Sequence, residues 1–232
     1  MGNPRSPAVG AILSSLAGFF LVVSCAQGKP EIRSQSVQLL RVQGPALVFA
    51  ERLSVFVFFE DSDGDADFSS IAVTHLETGL RWNLPAESTM TRLRGKDRWV
   101  GSNNLAGPGD GPLPEGAYSL AVYDLAGNEA VSTFSVAKPF FPENAPARLT
   151  IEGDVWKIER NPASGSFKNT WLFLFNNEQR LVLSWRVPSD GDVVTGSVAA
   201  LVDQARDAVS VQCYTENPSG TAGVLLTPVD LE

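Results

Sequence analysis

Apolar residues along this chain come in short bursts at two-residue spacing, separated by clusters of Gly, Pro, Asn and Asp. Leu53-Ser54-Val55-Phe56-Val57-Phe58-Phe59 is rich in β-branched and aromatic residues and too short to span a bilayer, which favours a buried strand. Further short strands are expected at Ile71 to Leu76, at Leu80 to Leu84 and around Arg98 to Gly101. Arg92-Leu93-Arg94-Gly95-Lys96-Asp97-Arg98 reads as an exposed turn between strands, with a contact patch for an anion as the alternative. Alternation resumes at Leu149 to Ile158, Trp171 to Phe175 and Leu181 to Val187, and Asn176-Asn177-Glu178-Gln179 suits a hairpin loop.

The spacing predicts a mainly β protein with two small antiparallel domains. Ala137-Lys138-Pro139-Phe140-Phe141-Pro142-Glu143-Asn144-Ala145-Pro146 carries three prolines, each without a ladder donor, so a linker is expected at residues 139–147. It separates a first domain at 46–138 from a second at 148–232. Phe140-Phe141 is placed either to plug the junction or to anchor a partner. Residues 25–45, with Gln27, Gly28, Lys29, Pro30 and Glu31, read as a polar tether. Apolar residues at 198, 201, 202, 205 and 209 fit a helix, but the alternation of Ala208 to Tyr214 and a turn at Gln204 to Asp207 favour strands there.

Leu113-Pro114-Glu115-Gly116-Ala117-Tyr118 followed by Asp124-Leu125-Ala126-Gly127-Asn128 resembles the last hairpin of immunoglobulin-like and fibronectin type III-like domains. The resemblance covers residues 46–136. It implies an Ig-like β-sandwich in which the hydroxyl of Tyr118 bonds back to the preceding corner. The core cysteine pair of antibody domains is absent, and no family is recognised for the second domain.

Residues 1–24 have one charged residue, Arg5, then an apolar run that closes on Leu21-Val22-Val23-Ser24-Cys25. This resembles the lipobox signal peptide of bacterial lipoproteins, with Val22 where that family most often has Leu. The resemblance implies cleavage after Ser24, lipidation of Cys25 with palmitate-type acyl chains, and anchoring to a bacterial membrane. The outer membrane is favoured over the inner, facing the periplasm or the cell surface. A plain signal peptide and an uncleaved anchor are the alternatives, although the run is shorter than the roughly 20 apolar residues a spanning helix wants.

Removing the signal takes away Arg5 and no acidic residue, leaving 17 basic against 26 acidic groups, a formal charge of −9. Nucleic acid is excluded as a partner, because affinity for phosphate backbones rests on clustered Lys and Arg. With Cys25 lipidated, Cys213 has no partner in the chain and reads as a small buried hydrophobe.

The densest candidate chemistry is the loop Glu60 to Asp67, with Asp61, Asp63, Asp65 and Asp67 on alternate positions around Gly64. Calcium takes about six to eight oxygen ligands, which such a loop can supply. It is not an EF-hand, since Gly64 is fourth and Ala72 twelfth counting from Asp61. In a sandwich of the expected kind, Asp124 and Asn128 lie at the same end as this loop. The alternative is that Asp-Gly and Asn-rich sequences simply make solvated turns.

His75, the only histidine, alternates with Ile71 and Val73 and reads as structural. Trp82, Trp99, Trp156, Trp171 and Trp185 read as core or hairpin residues, with a sugar-stacking platform as the alternative. The combined expectation is a noncatalytic envelope lipoprotein, not an enzyme and without a cofactor unless the loop takes calcium. It would bind a protein or cell-wall partner through its β-sandwich domains. A small-ligand or glycan receptor using the interdomain cleft is the second reading, and a carboxylate-based hydrolase the third.

Overall fold

The computed structural model describes residues 28–44, 48–138 and 141–231. The expected signal at 1–24, the expected lipidation site Cys25 and Phe140 lie outside the described residues. The chain is mainly β, with sixteen strands and one α-helix among the described residues. That helix is too short to cross a membrane.

Strand β1 (Glu31–Gln43) organises the molecule. It pairs antiparallel with β2 (Phe49–Glu60) from Glu31↔Glu60 to Gln43↔Phe49, and on its other edge parallel with β15 (Ala222–Leu225) from Leu39↔Ala222 to Val42↔Leu225. This corrects the expectation of a tether over 25–45. The polar residues of Glu31–Gln43 read as linker because much of the strand is only half-buried, while Leu39 and Leu40 are buried. Their ladder partners on one side lie almost the whole chain away, where a local reading cannot find them.

Around β1 runs a nine-stranded sheet in the order β12-β11-β14-β15-β1-β2-β6-β5, with β16 (Val229–Asp230) off β14. Its other members are β5 (Met90–Arg94), β6 (Asp97–Ala106), β11 (Asn169–Asn176), β12 (Leu181–Arg186) and β14 (Ala208–Glu216). The basic stretch at 92–98, expected as a turn, is therefore mostly strand. Only Gly95 and Lys96 turn, and Arg92 and Arg94 lie in β5.

Two smaller sheets cover one face of the large one. β3 (Phe68–His75), β4 (Arg81–Pro85), β7 (Gly116–Asp124) and β8 (Glu129–Val136) run in the order β4-β3-β7-β8. Alternate residues of β2, β3 and β7, among them Leu53, Val55, Val57, Ile71, Val73, Leu120 and Val122, point between the layers and form the first core. β9 (Ala147–Glu152), β10 (Val155–Arg160) and β13 (Val193–Ser197) run in the order β13-β10-β9. Their Leu149 and Ile158 meet Leu172, Leu174, Val211 and Cys213 in the second core. Phe141 packs against both cores, 5.5 Å from Phe167 with Arg41 over its ring, and so plugs the junction.

Helix α1 (Val198–Gln204) replaces the strand favoured for that segment. The Ser197 hydroxyl accepts a hydrogen bond from Ala200 N at 3.2 Å, and the Asp154 carboxylate accepts from Ala199 N at 2.8 Å. These acceptors satisfy amides that a first helical turn leaves open. Val198 and Leu201 then turn one helical face into the second core. The neighbouring Cys213 is buried, its thiol pushed up to about 12 by desolvation.

Tyr118 is fully buried, and its hydroxyl donates to Pro114 O at 2.5 Å, the corner geometry that the Leu-Pro-to-Tyr motif implied. Its ring stacks on Phe134 at 5.3 Å and lies 4.7 Å from His75. Tyr118→Phe keeps this packing but strands the Pro114 carbonyl. The expected loss is about 1–3 kcal/mol, seen as a lower urea midpoint at unchanged slope. An unchanged midpoint would show that the hydroxyl bond does not matter.

Candidate metal centre

The loop after β2 carries the chain from the nine-stranded sheet to the four-stranded one, and its own carboxylates fold it. Asp61 Oδ1 accepts from Asp63 N at 3.0 Å, and Gly64 N donates to Asp61 O at 3.1 Å. Gly64 has φ +92°, a conformation that glycine adopts at little steric cost. The turn at Asp65–Asp67 then brings Asp67 under the loop joining β7 and β8, where Leu125 N donates to Asp67 O at 2.8 Å.

Asp124 ends β7 and is only 3 % exposed. Its two oxygens accept from Asn128 N and Asn128 Nδ2, both at 2.7 Å. Burial pushes this carboxyl up, but the side-chain and backbone donors of Asn128, with the Gly127 and Ala126 amides, outweigh it. Asp124 therefore stays ionised below the ordinary carboxylate value.

Asp67 is its opposite. One carboxylate oxygen each from Asp61, Asp67 and Asp124 lies within 4.8 Å of the others. Burial, then the charges of Asp124, Asp61 and Asp63, hold the Asp67 carboxyl above its ordinary value. Its Oδ2 is shielded from solvent and accepts no hydrogen bond from the described residues.

Of the six residues predicted from the sequence, the structure thus brings three together. Asp63 is turned away, accepting from Gly28 N at 2.8 Å, and Asp65 lies 3.6 Å from the Arg98 guanidinium. Asn128 serves Asp124 rather than the cluster. The three converging carboxylates fit a hard cation. Calcium holds oxygens at about 2.3–2.6 Å, so oxygens around one ion lie no more than roughly 5 Å apart.

The other candidates occupy structural positions. His75 Nε2 donates to Glu115 O at 2.8 Å while Nδ1 lies 2.8 Å from the Thr78 hydroxyl and accepts from Thr78 N. Trp99 and Trp156 are buried, Trp82 Nε1 donates to Ala106 O, Trp185 packs edge-on against Trp156, and Trp171 lies beneath Arg186. An open depression lined by Thr78, Leu80, Pro108, Pro114 and Lys138 lies at the other end of β3 from the carboxylates.

No family model matches the chain, and no curated protein matches it. Among solved structures it is similar to dimeric latent PorU from Porphyromonas gingivalis, at 17 % identity over 87 % of this chain with a TM-score of 0.31. Tp47, the 47-kilodalton lipoprotein of Treponema pallidum, aligns at 10 % identity over 87 % with a TM-score of 0.34. Murine CEACAM1b aligns at 14 % over 86 % of this chain and 99 % of its own, with a TM-score of 0.25. The chain spans 20 % of the PorU chain and 51 % of the Tp47 chain.

Proposed function

We propose that the protein is an envelope lipoprotein, anchored through Cys25, whose β-sandwich domains have a noncatalytic binding or structural role. The observation that carries this reading is the sheet shared by both cores, which joins them in a continuous β platform beginning a few residues after Cys25. Sheet edges and end loops are the surfaces it presents. The only imidazole is held inside the tyrosine corner, and the open depression, which Glu115 lines, lies at the other end of β3 from Asp61, Asp67 and Asp124. The lipobox residues Leu21 to Cys25 support the anchor. Two or three acyl chains hold a protein stably where one does not. Cells fed labelled palmitate should incorporate it into the wild-type protein and not into Cys25→Ala, which should leave the membrane fraction. Equal labelling of both would rule out this anchor.

We further propose that Asp61, Asp67 and Asp124 bind one calcium ion, which cross-links the acidic loop to the loop joining β7 and β8. The orphaned Asp67 Oδ2 favours this reading, since a cation satisfies that oxygen and relieves the repulsion that raises the carboxyl. With affinity typical of extracellular modules, about 10 mM calcium should stabilise the protein by roughly 1.4–2.7 kcal/mol.

The pH dependence follows from the raised Asp67 carboxyl. In the interval just above the ordinary carboxylate value, the folded chain keeps a proton that the unfolded chain has released. Without calcium, this group therefore adds stability as pH falls into that interval and removes it as pH rises out of it. Calcium needs the ionised form, so its stabilising effect should be full near neutrality and fade on acidification. Asp67→Asn should melt no lower than wild type in chelator and respond little to calcium. Absence of any melting shift for the wild type at millimolar calcium would refute the site.

A further inference from the structure

Gly28, the first described residue, is clasped by the acidic loop. Its N–H donates to Asp63 Oδ2 at 2.8 Å, a Cβ at this position would overlap the Ser62 hydroxyl, and Pro30 is buried two residues on. Only Ala26 and Gln27 separate Gly28 from Cys25. Three Cα–Cα steps of about 3.8 Å reach no further than about 11 Å. The headgroup layer on each side of a bilayer is roughly 5–8 Å deep. An acylated Cys25 is held at that layer, so Gly28 and the loop that grips it stand at or just above the lipid surface.

Two further turns share this end of the first sandwich. In the loop joining β7 and β8, Leu125 N donates to Asp67 O at 2.8 Å. The turn at Gly95 and Lys96 lies alongside, where Arg98 is 3.6 Å from Asp65. Leu125 is 69 % exposed, and Lys29 and Lys96 are exposed as well. An exposed leucine alone signifies little. Here the short stretch between Gly28 and the anchor determines what it faces. Leucine and lysine together suit a bilayer boundary, the apolar side chain entering it and the ammonium groups staying at the phosphates. Of the loop's carboxylates, Asp63 is engaged by Gly28 and Asp65 by Arg98.

The rest of the molecule points away. Leu76, also exposed, follows the other end of β3, about 26 Å from the acidic loop. β1 leaves the anchored end at Glu31 and meets β15 only from Leu39, eight residues and about 26 Å further on. We propose that the end formed by Gly28, the acidic loop and the β7–β8 loop rests on the lipid surface that holds Cys25, with Leu125 entering the headgroup layer and β1 carrying the second core away from it. This rests on the anchor proposed above.

The test attaches the lipid chemically, so it does not depend on whether cells acylate Cys25, which the palmitate experiment reads. The mature chain, with Cys25 first, is coupled through that thiol to a maleimide lipid in phosphatidylcholine vesicles, in chelator. Cys213 stays unreacted, because it is buried and its thiol is pushed up to about 12. Hydrogen exchange is then compared with that of the uncoupled chain. We expect amides of residues 62–66 and 125–128 to exchange at least threefold more slowly on the vesicles, and those of 76–80 and 108–111 to be unchanged. Leu125→Ser, at an exposed position, should melt like the parent, couple equally well and lose most of the slowing. Equal slowing at both ends, none at either, or slowing that survives Leu125→Ser would overturn the proposal.

Discussion

A chain from which residues 28–44 have been deleted should lose cooperative unfolding in both cores, not in the first alone. β1 is hydrogen-bonded to β2 along its whole length and to β15 over four register pairs. Its removal takes Leu39 from the first core and leaves β2 and β15 as unpaired edges in the middle of the sheet. On the second side, the loss also removes Gln38, whose amide bonds the Tyr214 hydroxyl and Gly220 O, and Gln43, which accepts from Thr227 N. Burial of Tyr214 and its Glu216 neighbour push that phenol well above its ordinary value, so its hydroxyl stays a neutral member of this network. The checks are thermal melting by circular dichroism and near-ultraviolet signals from the tryptophans of each half. If the deleted chain melts like the parent, residues 31–43 are a tether after all.

Gly101→Ala should be strongly destabilising, because it adds a methyl group where β2 and β6 of the nine-stranded sheet lie closest. A Cβ at this position would lie 2.0 Å from Val55 O and 2.7 Å from Phe56 Cα, both backbone atoms that no rotamer change can move aside. Gly101 stands opposite Phe56, just beyond the register shift between Leu53 and Val55, where β6 carries an extra residue. Relief requires β2 and β6 to separate in the centre of the sheet. The cost should reach or exceed the upper end of the usual range of about 1–3 kcal/mol for overpacking, read as a fall in urea midpoint. A change below about 0.5 kcal/mol would mean that the two backbones are not in contact there.

The strands legible in the sequence are those whose burial is two-sided or whose turns are chemically marked. Leu53 to Phe59 announces itself because every second residue faces a core and the rest lie on a face built by Phe56, Phe58 and Trp99. Tyr118 is legible because a tyrosine after a Leu-Pro turn has a specific hydrogen-bonding task. β1 is illegible by the same logic, since its pairing depends on a segment roughly 180 residues later. The helix at Val198–Gln204 was hidden by the strand pattern that follows, and its cap comes partly from Asp154, a residue outside the local window.

The candidate centre divides likewise. Placing the acidic loop and Asp124 at one end of a sandwich is a topological inference, and it brings Asp61 and Asp124 together. Which of the other alternating aspartates, Asp63, Asp65 and Asp67, joins them depends on a tight turn and on rivals such as Arg98 and the Gly28 amide. No spacing rule contains those rivals.

The parallel seam between β1 and β15 also sets an order of events. One of its strands is the first described strand to be synthesised and the other is the fifteenth of sixteen. Contacts so distant along the chain form late, because the loop between them must close before they contribute. A chain crossing a membrane amino end first would hold β1 against β2 with its second edge open until Ala222–Leu225 arrives. Throughout that interval the open edge is a template for foreign strands, so a chaperone that shields it would act on the unfinished chain and have nothing to hold once the seam is shut.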